Sequence, residues 1–237
     1  MMSARFEHKF LVDAAQSEAL VAELGSSLRP DEVAGGAYPV VTLYHDCPAL
    51  SALEAQRRGT PFRTKVRVRC YGSADGRIPP TTFAELKRRD GATGAKVRAR
   101  GSPGACAALA CGDAGAAAQI DSRDRAAAEE IAAFAAREGL RPACLMRYDR
   151  RAWSLGELRL TLDRDLMVRA DRLTPAPDDR SFETRVLPAD RLVLELKGDG
   201  AVPFMVALLL SRLGIRPRAF SKYAAGMAAL PSLSRCN

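Results

Sequence analysis

Residues 62–71 read F-R-T-K-V-R-V-R-C-Y. Arg63, Lys65, Arg67, Arg69 and Tyr71 occupy alternate positions, with Thr64, Val66, Val68 and Cys70 between them. Period two with β-branched residues predicts a strand whose successive side chains point to opposite faces. One face is then mostly apolar, and the other carries four cations and a phenol. Like charges side by side repel. Such a face is stable when it is solvated, as on an edge strand, or when it is held against something strongly anionic.

The same alternation recurs along the chain. Arg5, Glu7 and Lys9 alternate with Phe6, His8 and Phe10. Phe83, Glu85, Lys87 and Arg89 share a face opposite Ala84 and Leu86, and Lys96, Arg98 and Arg100 share the next. Tyr148 and Arg150 fall together, as do Arg159, Thr161 and Asp163 against Leu158, Leu160 and Leu162. In 191–197, Val193, Glu195 and Lys197 alternate with Leu192, Leu194 and Leu196. Strands are also expected at 40–44 and 182–187. Helices are expected after an Asp13 cap, at 50–58, from about 123 to 137 before Gly139, from Pro203 to Leu213, and at 222–230 behind a Ser221 cap. The Gly/Ala-rich residues 101–120 read as a mobile insertion into a single domain spanning 1–237.

Composition narrows the partners. The 237 residues carry a net charge of +8, which points to an anionic partner. Arg supplies most of the positive charge, and its planar fork suits phosphate. Aromatics are few on the basic strands, so nucleic acid is not expected as the ligand. Six cysteines without a C-x-x-C pair read as free thiols in a reducing compartment, neither a disulfide frame nor a zinc site. No secretory signal is visible, and no apolar run reaches the roughly 20 residues a membrane helix needs. The expected location is cytoplasmic, which leaves a membrane-bound partner compatible with the sequence.

Seven or eight strands of this kind can be arranged in two ways. A sandwich would bury the apolar faces and solvate the charged ones. A closed barrel would turn the charged faces inward around a ligand and pack the apolar faces under helices. The pairs Glu7 with Lys9, Glu85 with Lys87 and Glu195 with Lys197, each two residues apart on one face, favour the barrel. So do the many Leu and Phe residues opposite them, which a bare barrel would expose.

In order, the chain contains R-F-E-H-K-F, Y-H-D-C-P, K-V-R-V-R-C-Y, A-E-L-K, K-V-R-A-R, R-Y-D-R-R-A, L-R-L-T-L-D, L-E-L-K and F-S-K-Y. Single pieces are weak, but this ordered set, from Arg5 to Tyr223, resembles the VTC domain, a polyphosphate polymerase family of the triphosphate tunnel (CYTH-like) superfamily. The resemblance implies an α+β fold: an eight-stranded antiparallel β tunnel with a basic interior and helices outside. It implies transfer of the γ-phosphoryl group of ATP to a growing polyphosphate chain, assisted by a divalent metal, manganese or magnesium. Carried over by position, Arg67, Arg69, Arg150, Arg159 and Lys222 would be catalytic. Lys9, Lys87, Lys96, Tyr148 and Ser221 would bind substrate, with Ser221 and Lys222 at the tunnel mouth. Glu195, Glu7 and Glu85 would face the metal. Arg63, Lys65 and Arg98 would be lining or rim, and His8 and His45 structural.

Two rival activities share these residues: hydrolysis of inorganic or nucleoside triphosphates, and binding of polyphosphate without turnover. In the hydrolytic and cyclase branches of the superfamily a glutamate stands two positions before that of the E-x-K pair. Arg5 stands there in this chain, which favours the polymerase branch. Phosphate-sensing and membrane modules that accompany some VTC domains are not found in these residues.

Overall fold

The computed structural model describes residues 5–31, 36–73, 80–91 and 93–231. The loops expected at 35–36 and 72–80 and the turn at 90–94 therefore lie partly outside the described residues, and Cys236 lies wholly outside them. The side chain of Arg5 is not among those described.

The main elements follow one another as β1 (Arg5–Asp13), α1 (Ala14–Leu24), β2 (Arg29–Pro30), β3 (Ala37–Asp46), α2 (Ser51–Arg57), β4 (Phe62–Tyr71), β5 (Thr81–Asp90), β6 (Thr93–Gly101), α3 (Pro103–Ala110), α4 (Arg125–Glu138), β7 (Arg141–Leu155), β8 (Leu158–Arg169), β9 (Thr184–Arg185), β10 (Arg191–Asp199), α5 (Phe204–Arg212) and α6 (Lys222–Ala229). Eight strands form one antiparallel sheet in the order β1-β10-β8-β7-β3-β4-β5-β6, with the short β2 and β9 attached to β7 and β8. The sheet curls into a half-barrel. Glu7 on β1 ion-pairs with Lys87 on β5 at 3.1 Å, so side chains span the gap between the two ends of the sheet.

Alternation decides which side of the curl each residue occupies. On the convex side, Val66, Val68, Ala84, Leu86 and Ala99 pack under α3 and α4. Phe10, Val12, Leu160, Leu194 and Leu196 pack under α1 and α5, together with Trp153. Charged residues take the concave side. α6 differs from the other helices. Its Tyr223 and Met227 join the concave residues Tyr44, Met146 and Tyr148, so it plugs one end of the basin instead of covering the outside.

Local chemistry sets several boundaries. Asp13 caps α1 in a reciprocal capping box with Gln16. Gly139 ends α4 in the left-handed region at φ 62°, where a Cβ would be strained. The strand expected at 182–187 is only two residues long, Thr184–Arg185. The loop before it is held by Arg169, whose guanidinium bonds Asp179, Ser181 and the Arg172 carbonyl.

The Gly/Ala-rich stretch 101–120 is not the expected mobile insertion. Ser102 caps α3, and Ala105, Cys106, Leu109, Ala116, Ala117 and Ile120 are buried in the convex core. Small side chains allow close approach here: a Cβ on Gly112 would lie 2.7 Å from the backbone of Ala136 in α4. Low sequence complexity reflects tight helix packing.

Candidate functional site

The concave face gathers charge from seven strands and one helix. β1 brings Glu7 and Lys9, β4 brings Lys65, Arg67 and Arg69, β5 brings Glu85 and Lys87, and β6 brings Lys96. β7 contributes Arg150, β8 Asp163, β10 Glu195 and Lys197, and α6 Lys222. Cross-strand register sets them side by side: Lys9 opposes Glu195, Arg67 opposes Glu85, and Arg150 opposes Asp163.

Lys222 sits at the centre. Its Nζ lies 2.6 Å from Asp163 and 2.8 Å from Glu195, and only 6% of the side chain is exposed. Arg150 donates two hydrogen bonds to Asp163, at 2.6 and 2.7 Å. Glu195 also meets Lys197 at 2.9 Å, with Arg150 at 3.9 Å and Lys9 at 4.0 Å. Burial alone would push the Glu195 carboxyl up. Lys222, Lys197, Lys9 and Arg150 overcome that and hold it well below the carboxylate range. Burial likewise opposes the charge on Lys222, but Asp163 and Glu195 raise its pKa.

A second cluster lies along β4 to β6. Glu85 accepts from Arg67 at 2.7 Å and from Lys96 at 3.2 Å. Burial works against its charge, and Arg67 and Arg69 prevail and depress its pKa. Glu7 bridges the two clusters through Lys9, Lys87 and Lys197. Against the penalty of burial, Lys197, Lys9 and Lys87 bring its pKa to about 2. Arg69 has no carboxylate partner among the described residues; it donates to Thr42 at 3.2 Å. Nine bases (Lys9, Lys65, Arg67, Arg69, Lys87, Lys96, Arg150, Lys197, Lys222) thus face four acids (Glu7, Glu85, Asp163, Glu195), an excess of five positive charges when all are ionised.

Two hydroxyls complete the wall. Tyr148 Oη and Thr161 Oγ1 are buried and have no hydrogen-bond partner among the described residues. Arg150 and Lys222 lie over the Tyr148 ring. A buried hydroxyl left unpaired costs free energy, so both suit a ligand that supplies acceptors.

Not every residue expected at the site occupies the expected place. Lys9, Arg67, Arg69, Lys87, Lys96, Tyr148, Arg150, Glu7, Glu85 and Glu195 share the basin. Lys222 belongs at its floor, not at a mouth, because α6 inserts its first turn under the strands. Ser221 caps α6 and accepts from Lys65 at 3.1 Å. Arg159 lies at the rim, half exposed, bound to Asp31 at 2.5 Å and to Tyr38 Oη at 3.3 Å. His45 is buried on the convex side, where burial lowers its pKa to about 4; His8 stacks on Phe6. Asp163, Lys197 and Thr161 received no role from the sequence, although alternation with Arg159 and Glu195 already placed them on those faces.

Glu195, Glu7 and Glu85 do not assemble as metal ligands. No group of three His, Cys, Asp or Glu able to hold a metal occurs among the described residues. Both oxygens of each glutamate face cations: Lys222 and Lys197 at Glu195, Lys96 and Arg67 at Glu85, Lys9 and Lys87 at Glu7. The donor set does not fit a metal held by the protein alone.

A curled antiparallel sheet with a basic concave face and a helical plug is the architecture the ordered motifs implied. The sequence profile of the VTC domain matches residues 4–231. The chain belongs to the VTC domain family. Among curated proteins none matches this VTC domain at a significant level. Among solved structures it is similar to a Hippeastrum protein assigned as an adenylyl cyclase and described as having a dominant triphosphatase activity. That likeness has a TM-score of 0.54 and 16% identity, and covers 95% of this chain and 97% of the other. A Bacillus halodurans protein assigned as an adenylate cyclase aligns at TM-score 0.49 and 15% identity, over 93% of this chain and 94% of that one. Identities this low speak to the fold alone. No helix among the described residues is long and apolar enough to cross a membrane.

Proposed function

We propose that this VTC domain is an ATP-dependent polyphosphate polymerase. The observation that carries the reading is the excess of positive charge on the concave face, built from nine bases against four acids. An excess of this kind is costly unless a polyanion neutralises it. A triphosphate and a growing polyphosphate chain both supply that charge.

Phosphoryl transfer is mainly positioning and charge stabilisation. Arg67, Arg69, Lys87 and Lys96 would hold the triphosphate along β4 to β6. Arg150, Lys222 and Lys9, already locked by Asp163 and Glu195, would face the transferring group without reorganising. Tyr148 Oη and Thr161 Oγ1 would donate to phosphate oxygens. A terminal oxygen of the acceptor chain attacks the γ-phosphorus, the bond from that phosphorus to the β–γ bridging oxygen breaks, and ADP leaves with the electron pair. No covalent intermediate on the protein is needed. Cys70 and Cys106 lie in the convex core, and burial raises the Cys144 thiol to about 12. A divalent cation, manganese or magnesium, enters this reading only as the counterion a triphosphate brings with it.

Transfer to water in the same basin is the second reading, since the cations that would hold a triphosphate for an acceptor chain would hold it equally for water. The test is incubation of the purified chain with ATP and manganese. Polymer is resolved on a gel stained for polyphosphate, with free phosphate assayed in parallel. A polymer ladder with ADP release is expected. Free phosphate without polymer would replace the polymerase by a hydrolase, and bound ATP without either product by a binding module.

A further inference from the structure

Few aromatic residues interrupt the basic strands, and in sequence they look unrelated. The fold brings three of them together. Tyr38 on β3, Tyr71 on β4 and Phe83 on β5 meet where β4 ends and β5 begins. The Tyr71 ring lies 6.0 Å from Tyr38 and 6.1 Å from Phe83, edge to face in both cases. Arg98 on β6 sits over the Phe83 ring at 4.0 Å.

The position of Arg98 is informative. Register sets it directly opposite Glu85, its natural ion-pair partner. Glu85 is taken by Arg67 and Lys96, and Arg98 makes no ion pair among the described residues. It stays exposed, stacked on an aromatic ring. A guanidinium plane and a ring face are the surfaces on which nucleobases stack.

We propose that Phe83 and Arg98, buttressed by Tyr71 and Tyr38, form the stacking site for the nucleobase of a nucleoside triphosphate donor. This rests on the phosphate-binding reading of the basin and adds which end of the donor lies where. Phe83 opposes Arg69 in register, so a base stacked there has its phosphates beside the first basin cation. Four residues further along β5 stands Lys87. At the strand rise that is about 13 Å, comparable to an extended nucleoside triphosphate. The donor would run from Phe83 past Arg69 and Arg67 toward Lys96 and Lys87. Stacking reads a π face and not a hydrogen-bonding edge, so the site favours nucleoside triphosphates over inorganic tripolyphosphate and discriminates little between purines.

The experiment is calorimetric titration of the full chain at one fixed salt concentration with ATP, GTP and inorganic tripolyphosphate. It compares the unsubstituted protein, Phe83→Leu and Arg98→Lys. The lysine variant keeps the charge and removes the plane, at an exposed position where folding is not at stake. Both variants should weaken ATP and GTP in parallel, by roughly tenfold, with tripolyphosphate affinity unchanged. Equal weakening of ATP and tripolyphosphate would make Arg98 a phosphate contact and overturn the stacking site. So would an Arg98→Lys variant that changes neither ligand, and in both cases the basin reading survives. Unsubstituted protein that binds none of the three anions would overturn both.

Discussion

Replacing Glu195 by glutamine removes one of the four acids and leaves every base in place. Glu195 is buried against Lys222 at 2.8 Å and Lys197 at 2.9 Å, with Arg150 and Lys9 at the edge of the same shell. Removing one partner of a buried ion pair costs about 3–5 kcal/mol. Glutamine is nearly isosteric and still accepts from Lys222, so the loss should fall near the lower figure, about 3 kcal/mol. In a chain of this size each kcal/mol moves Tm by about 2–4 °C, which predicts a drop of about 6–12 °C. The excess of positive charge rises by one, and a phosphate oxygen can take the place of the missing carboxylate. Saturating tripolyphosphate should therefore raise Tm more in Glu195→Gln than in the unsubstituted protein. Thermal unfolding followed by circular dichroism, with and without tripolyphosphate, measures both effects. A drop under about 2 °C, or equal stabilisation of the two proteins by the anion, would refute the picture of a charge-strained basin.

The combined change Arg67→Ala and Arg69→Ala removes two charged donors worth about 1.5–3 kcal/mol each. Tripolyphosphate affinity at fixed salt should fall at least about a hundredfold, and a loss of only a few-fold would return that strand to a solvated face. Lys65, desolvated and crowded by Lys9, Arg63, Lys87 and Arg67, has its pKa lowered to about 7. A bound anion favours its charged form, so above pH 7 binding must take up a proton and is weakened as pH rises. Lys65→Gln should flatten that slope between pH 7 and pH 9, and proton uptake is read by calorimetry in two buffers of different ionisation heat. The depressed carboxyls give stability that is full above about pH 4.5 and is lost as pH falls toward the folded-state value of about 2 at Glu7; acid unfolding should occur inside that window. Leu109→Ala in α3 should cost about 2–5 kcal/mol, measured by urea unfolding, whereas a mobile 101–120 segment would give no change.

The sequence by itself determined the faces. Period-two alternation in 62–71, 83–89, 158–163 and 191–197 fixes which side chains share a side, and the apolar set Val66, Val68, Leu86, Leu160 and Leu194 could only be buried. Alternation is local, and backbone pleating enforces it whatever the partners are. The ordered motifs then carried the architecture and the family. Partnership is a long-range matter and stayed out of reach. Nothing within β10 says that Glu195 meets Lys222, 27 residues on, because α6 has to enter the basin before they touch. Asp163 looked like one more polar residue until Arg150 and Lys222 converged on it. Residues 101–120 looked structureless because alanine and glycine carry no amphipathic signal, yet their smallness is what lets α3 and α4 pack closely. The pairing of Glu7, Glu85 and Glu195 stayed out of reach for the same reason: residue type names a possible ligand, and only the tertiary structure sets the ammonium and guanidinium groups of neighbouring strands against their oxygens.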